Sequence, residues 1–183
     1  LEMTDHVIKE KYIFEETGNE NGGKRLVYKC VMSPTDKVIS PLHVHPLSDE
    51  KFVVLEGEVT IEMNGVRRIY KKGEKVNIKR GTPHTGYNNG KTETVVLCTV
   101  EPAYTMGEYI YSLTRLSNMG KTNSKDLPNV FMVAAMGYKY KEQAYLPKFI
   151  FAQRLFFRTV VCLSAKIFNL LKVEFLEIIF GRN

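Results

Sequence analysis

The sequence is poor in cysteine and histidine, and it lacks several motifs that carry common enzyme chemistry. It contains no Ser-His-Asp arrangement, no glycine-rich phosphate loop and no CxxC pair. The cysteines Cys30, Cys98 and Cys162 are widely spaced and odd in number, so we expect reduced core residues of a cytoplasmic protein. The first residues show no apolar segment of the signal-peptide kind. These absences argue against a disulfide framework and leave few groups that could act as a catalyst.

Positive charge is concentrated in the last quarter of the chain. The net charge is +6, but residues 1–137 hold 18 basic and 17 acidic side chains, whereas residues 138–183 hold 8 basic and 3 acidic ones. The basicity therefore belongs to the tail and does not indicate a nucleic-acid surface over the whole molecule. We therefore expect no nucleic-acid partner.

Short runs rich in valine, isoleucine and aromatic residues fill the chain from about residue 26 to residue 100, and turn signals separate them. Asn64-Gly65 lies between two such runs and predicts a type I′ hairpin, because this turn needs positive φ at both positions. Short strands at regular spacing favour an antiparallel sandwich or jelly-roll barrel. We predict an all-β domain over residues 26–103, preceded by an N-terminal segment, 1–25, and followed by an α-helical extension, 104–183.

The extension is predicted to contain helices at MGEYIYSLTRLSNMG, at NVFMVAAMGYKY and over residues 147–180. The last helix would carry Arg154, Arg158, Lys166, Asn169 and Lys172 on one side, and Phe149, Phe156, Val160, Leu163, Ile167, Leu171 and Leu176 on the other. No uninterrupted apolar stretch reaches the roughly 18 residues needed to span a bilayer. The apolar side would pack on the barrel or on a partner subunit, or it would lie on a membrane surface. Packing is preferred, because burial against protein explains most amphipathic helices.

Three of the four histidines lie in two stretches, PLHVHPLSDE and GEKVNIKRGTPHTGYN. On a strand, alternate side chains share a face, so His43 and His45 would point together into the barrel. Glu50 opens the following strand, and His84 in the second stretch offers a third imidazole. Imidazole and carboxylate are ligands of borderline divalent metals, whereas a single strand histidine is more often a core or surface residue. His6, in the polar N-terminus, is assigned to solvent.

The two stretches resemble the two motifs of the cupin superfamily. The first motif, G-x5-H-x-H-x3,4-E-x6-G, is matched by His43, His45, Glu50 and Gly57, with Lys37 in place of the leading glycine. The second, G-x5-P-x-G-x2-H-x3-N, is matched by Gly73, Gly81, His84 and Asn88, with Lys79 in place of the proline. The resemblance implies a double-stranded β-helix, usually dimeric, and hence a homodimer. It also implies a divalent transition metal, Fe(II), Mn(II), Ni(II) or Zn(II), held by His43, His45, Glu50 and His84.

Two classes of function follow from this resemblance. The first is a metal-dependent enzyme acting on a small organic molecule, either a dioxygenase with Fe(II) or an isomerase or lyase in which Glu50 serves as base. The second is a non-catalytic module that binds a small molecule or a metal and acts through its helical tail. The intact ligand set favours the enzyme, although the fold hosts many chemistries. Residues 147–180 leave a peripheral membrane contact open as a further partner.

Other residues of these stretches are assigned structural roles. Tyr28, Phe52, Met63 and Tyr87 could line a pocket beside the metal, but core packing is preferred because barrels of this size are mostly filled by side chains. Asn88 is predicted to brace a loop. The basic cluster around the predicted hairpin, formed by Arg67, Arg68, Lys71 and Lys72, is interpreted as a solvated face.

Overall fold

The computed structural model of the protein describes residues 1–6, 8–34, 41–122, 130–140 and 143–170. Over these residues the strands are β1 Glu2–Asp5, β2 Glu10–Glu16, β3 Leu26–Met32, β4 Asp49–Glu56, β5 Glu58–Met63, β6 Val66–Lys71, β7 Lys75–Ile78, β8 His84–Tyr87 and β9 Thr94–Glu101. The helices are α1 Met106–Asn118, α2 Val130–Lys139 and α3 Ile150–Leu170, and a short 3-10 turn covers Asn19–Asn21.

The strands form two antiparallel sheets, one with the order β1-β2-β3-β9-β4-β7 and one with the order β6-β5-β8. Alternate residues of β3 and β9 are buried, as expected for strands with one face on a core. The core is built from these and neighbouring strands and includes Leu26, Tyr28, Val54, Ile61, Ile78, Val96 and Val100. The predicted all-β domain with a helical extension is thereby confirmed.

The predicted hairpin joins β5 to β6. Asn64 and Gly65 both have positive φ, 50° and 80°, which is the conformation that a type I′ turn requires. The basic side chains around it, Arg67, Arg68, Lys71 and Lys72, are exposed, and Arg67 pairs with Glu62 at 2.6 Å. Both the turn and the solvated basic face agree with the sequence-based prediction.

The first 25 residues contribute β1 and β2 to the larger sheet, which the sequence did not indicate. β2 pairs with β3 from Glu10 to Glu16, with a bulge between Phe14 and Glu16, so that these strands extend the sheet beyond the central block. Asp5, at the end of β1, is buried and accepts a hydrogen bond of 2.8 Å from Ser117 Oγ of α1. The N-terminal strands therefore connect the sheet to the helical extension.

The helices α1 and α2 occupy the two stretches predicted for them. Leu116 of α1 packs with Met136 and Tyr140 at the end of α2. The hydroxyl groups of Ser112 and Tyr140 are hydrogen-bonded at 2.6 Å. These contacts hold α2 against α1, which in turn contacts β1.

The third helix packs through a face other than the predicted one. Phe149, Phe156 and Leu163 are 80%, 43% and 56% exposed, whereas Phe157 is buried and Val160 lies at the edge of its cluster. Apolar residues surround this helix on most sides, so periodicity alone does not select the buried face. Phe157 is selected because Gly137 of α2 makes room for it: a Cβ at position 137 would lie 2.2 Å from the ring. The side chains of Lys166, Ile167, Asn169, Leu171, Lys172 and Leu176 lie outside the described residues.

The three cysteines differ in burial. Cys30 and Cys98 are buried in the barrel, as predicted, but Cys162 is exposed, and its assignment to a core is wrong. Its neighbour in the chain, Leu163, is exposed as well. Within the described chain, no helix has the length and apolar character needed to cross a membrane.

Candidate metal centre

The two neighbouring histidines lie in an extended segment rather than in a regular strand. His43 forms a β-bridge with His84, with backbone N–H to O distances of 3.0 and 2.9 Å in the two directions. Val44 forms a second bridge with Tyr145, at 2.8 and 3.0 Å. Because the segment is extended at these positions, His43 and His45 point to the same side.

Glu50 and His84 are held by the two sheets. Glu50 lies near the start of β4, where it is paired with Val100 of β9 on one side and Ile78 of β7 on the other. His84 begins β8, and the preceding turn is anchored by a hydrogen bond of 2.9 Å from Gly81 N to His45 O. Two sheets and one connecting segment therefore supply the four side chains.

The four candidate ligands meet at one point. His43 Nε2 lies 3.1 Å from His45 Nε2, His84 Nε2 lies 2.8 Å from Glu50 Oε2, and His45 Nε2 lies 3.6 Å from the same oxygen. All four ligand atoms lie within 4.8 Å of one another. With metal–ligand bonds of about 2.1 Å, adjacent donors of an octahedral ion are separated by about 3 Å and opposite donors by about 4.2 Å. The spacing of the cluster fits such an ion.

Burial distinguishes His43 from the other three. His45, Glu50 and His84 are 5%, 7% and 2% exposed, whereas His43 is half-buried. A metal held by this set would therefore be reached from the side of His43. Four protein donors to an octahedral ion leave two positions for other molecules.

Each imidazole is oriented by a backbone carbonyl. His43 Nδ1 lies 2.8 Å from Pro41 O, and His84 Nδ1 lies 2.9 Å from Thr82 O. His45 Nδ1 makes a short contact with the carbonyl oxygen of Gln143. A carbonyl oxygen can only accept, so all three rings carry a proton on Nδ1 and direct Nε2 inward. This is the arrangement that metal-binding histidines use.

The charges of the cluster agree with that arrangement. Burial lowers the pKa of His43 to about 3, and repulsion from His45 and His84 adds to the effect, so this ring is neutral. Burial acts to raise the pKa of Glu50, but attraction to His45 and the hydrogen bond from His84 outweigh it and lower this pKa to about 2. Burial also acts to lower the pKa of His84, but its bond to Glu50 raises it. Glu50 and His43 are already in the forms that bind metals, and the proton that His84 Nε2 donates to Glu50 would be released when an ion binds.

Residues around the cluster are structural. Tyr28 belongs to the hydrophobic core, Phe52 and Met63 pack against that core, and Tyr87 is buried. Asn88 braces a loop as predicted: its Nδ2 donates to the carbonyl oxygens of Met32 and Thr92 at 2.9 and 2.8 Å, and its Oδ1 accepts from Gly90 N at 3.0 Å. His6 is exposed, as predicted.

The structure thus brings together every residue predicted as a ligand. Sequence reasoning missed the backbone of Gln143 and Tyr145, which reaches the site from the extension. No local pattern indicates such a contact, because a backbone carbonyl leaves no mark on residue type.

Comparison with known proteins shows similarity over the barrel. A family model described as a cupin domain matches residues 31–100. An uncharacterized protein of Methanocaldococcus jannaschii is 29% identical over 105 residues, which cover 54% of this chain and 80% of that protein.

Solved structures that resemble the chain include two with functional descriptions. A putative sugar phosphate isomerase from Acidithiobacillus ferrooxidans matches with a TM-score of 0.43 and 20% identity, over 50% of this chain and 59% of that protein. A predicted oxalate decarboxylase from Thermotoga maritima matches with a TM-score of 0.47 and 20% identity, over 55% of this chain and 90% of that protein. The chain therefore spans little more than half the length of the isomerase. Neither likeness transfers a substrate or a reaction.

Proposed function

We propose that this protein is a metal-dependent enzyme of the cupin superfamily that acts on a small organic molecule, since a cupin-domain family model matches residues 31–100. His43, His45, Glu50 and His84 would hold one divalent transition-metal ion. The reaction would be of the dioxygenase, isomerase or lyase type.

One observation carries the proposal: three Nε2 atoms and one carboxylate face one another while all three Nδ1 protons are held by carbonyls. Inward lone pairs on His43 and His45, 3.1 Å apart, repel unless a proton or a cation lies between them. A divalent ion satisfies this pair and the Glu50 carboxylate at once. A cluster built only for packing has no need of such an arrangement.

The donor set suits Fe(II), Mn(II), Ni(II) and Zn(II). When bound, such an ion supplies Lewis acidity, or with Fe(II) a site for oxygen chemistry. The protein orients the ligands, and the buried positions of His45 and His84 exclude water from the inner side. In the isomerase or lyase reaction, Glu50 would also move a proton, which requires one of its carboxylate oxygens to be free of the metal.

The second candidate is a non-catalytic module that binds a metal or a small molecule and acts through the helical extension. The contact between His45 and the carbonyl of Gln143 favours it, because this contact links the site directly to the extension. Under this proposal the metal or ligand would change how the extension is held. Catalytic turnover would be absent.

Elemental analysis of the purified protein tests the metal site. We expect a stoichiometric divalent metal in the wild type and its loss in His45→Ala and His84→Ala. His6→Ala is the matched control, because this histidine is exposed and far along the chain from the cluster. Equal metal content in all variants, or none in any, would contradict the proposal.

Oxygen uptake separates the two candidates once metal binding is established. The Fe(II)-loaded protein is tested against a panel of diketones, flavonols and catechols, and the Zn(II)- and Ni(II)-loaded forms are tested for isomerase and lyase products. Turnover that disappears in His84→Ala supports the enzyme. Metal binding without turnover on any compound favours the module.

The remaining expectations about partners and location stay predictions. They are the homodimer, the small-molecule substrate, the absence of a nucleic-acid partner, the peripheral membrane contact through residues 147–180, and the cytoplasmic location.

A further inference from the structure

We propose that the 143–146 segment of the extension, clamped by α3, is a positioning element of the metal centre that holds His45 in its ligand orientation. This inference rests on the proposed metal site and adds a part of the chain that lies outside the cupin domain.

The support of His45 differs from that of the other two histidines. His43 and His84 each use a carbonyl two residues earlier in the chain, Pro41 O and Thr82 O. His45 Nδ1 instead uses the carbonyl of Gln143, which is 98 residues away. Two rings are therefore oriented locally, and the third depends on tertiary packing of the extension.

The segment is joined to the ligand-bearing chain by more than this contact. Val44, between the two histidines, makes two backbone hydrogen bonds with Tyr145, of 2.8 and 3.0 Å. The Val44 side chain is buried in one cluster with Tyr145 and with Ala134, Ala135 and Phe157 of α2 and α3. The residue between two ligands thus belongs to the core of the extension rather than to that of the barrel.

Helix α3 holds the segment from two sides. The ring of Tyr145 stacks on Phe157, with centroids 5.9 Å apart and planes 13° apart, and the Arg154 guanidinium lies 5.5 Å from the Tyr145 ring centre. The Gln153 side chain accepts from Leu146 N at 3.0 Å and donates to Leu146 O at 3.0 Å, as a paired strand would. These contacts fix Tyr145 and Leu146, which follow Gln143 by two and three residues in the same segment.

Without the contacts between the 143–146 segment and α3, the His45 ring would be free to rotate. Its proton would then be free to move from Nδ1 to Nε2, and a metal cannot bind a protonated Nε2. Removing groups that orient metal-binding histidines typically weakens metal affinity by about 10-fold to 100-fold. We expect a loss of this size for Tyr145→Ala, and a loss in the same direction for Gln153→Ala. Tyr145→Phe keeps the stacked ring and should therefore bind the metal with the wild-type affinity, unlike Tyr145→Ala. Phe151→Ala, which removes an exposed ring from the same helix, is the control that should change nothing.

Two measurements on the full chain test the proposal. Long-range ¹H–¹⁵N spectra of the metal-free protein report the tautomer of His45, which should be protonated on Nδ1 in the wild type and in Tyr145→Phe, and mixed in Tyr145→Ala. Titration with Co(II) reports the affinity, and the visible absorption spectrum of bound Co(II) reports the geometry of its ligands. Circular dichroism establishes that each variant is folded.

The outcomes separate this inference from the function on which it rests. If the wild type binds Co(II), His45→Ala does not, and Tyr145→Ala and Gln153→Ala keep the wild-type affinity, spectrum and tautomer, the positioning role is overturned and the metal site stands. If the wild type binds no metal, the proposed function fails, and this inference fails with it. A shifted tautomer together with a weakened Co(II) complex in folded Tyr145→Ala supports it.

Discussion

Two glycines of the barrel provide a test of how closely the turns around β4 are packed. Gly57 and Gly73 both have positive φ, 70° and 85°. They lie in neighbouring turns, since Lys72 N donates to Gly57 O and Gly73 N donates to Val54 O. They differ in their surroundings. A Cβ at Gly57 would lie 2.6 Å from Glu93 O and 2.8 Å from Thr94 Oγ1, whereas a Cβ at Gly73 would meet nothing within 4 Å.

The cost of each alanine follows from these distances. An L-residue in the left-handed region loses about 1–2 kcal/mol, and both variants bear this loss. Gly57→Ala also overpacks, at about 1–3 kcal/mol, because its neighbours cannot move. One is a backbone carbonyl, and the other is the buried Thr94 hydroxyl, which donates to Glu58 O at 2.7 Å. We expect a loss of about 2–5 kcal/mol for Gly57→Ala and about 1–2 kcal/mol for Gly73→Ala.

Urea denaturation followed by far-ultraviolet circular dichroism measures both values. The difference between the two variants isolates the steric part, because the backbone strain is common to both. Equal losses would show that the turn at Gly57 relaxes freely, and the reasoning from the close contacts would be refuted. A larger loss at Gly73 would refute it as well.

Other predictions concern the loop, the thiols and the helical surface. Asn88→Ala removes three hydrogen bonds to the backbone of Met32, Gly90 and Thr92, and we expect a loss of stability of about 1–3 kcal/mol by thermal denaturation. An unchanged midpoint would contradict the bracing role. In the native protein, a thiol reagent should modify Cys162 and leave Cys30 and Cys98 unmodified until unfolding, because burial raises the pKa of both barrel thiols. Modification of Cys30 or Cys98 in the folded protein, detected by mass spectrometry, would contradict this prediction. If a second copy covers the exposed apolar side of α3, Phe156→Glu should convert a dimer to a monomer in sedimentation experiments, and a wild-type monomer would contradict the homodimer.

The barrel was predictable because its signals are local. A type I′ turn needs particular residues at adjacent positions, and Asn64-Gly65 supplies them. The strands β3 and β9 alternate between buried and partly buried residues, and alternation is visible in a short window. β2 escaped this reasoning because its inward side includes Glu10, whose carboxylate is buried and accepts a hydrogen bond of 2.5 Å from the Tyr12 hydroxyl. A buried acid on the core face breaks the pattern on which strand prediction depends.

The buried face of α3 was not predictable for a different reason. Aromatic and aliphatic residues occur on several sides of this helix, so more than one stripe has the required spacing. Gly137 on α2 decides the outcome, because the ring of Phe157 fits where a side chain would otherwise lie. The choice thus depends on a partner surface that is distant in sequence.

The metal centre has some features that local sequence determines and one that depends on packing with a distant part of the chain. The identity of its four ligands follows from residue type and spacing, since histidines at alternate positions of an extended chain share a side. The orientation of His43 and His84 is also local, because their carbonyl partners lie two residues away. The orientation of His45 depends on Gln143, which no spacing rule connects to it. Sequence patterns therefore identify which atoms could bind a metal, but whether all three imidazoles direct Nε2 at one point depends on how the extension packs.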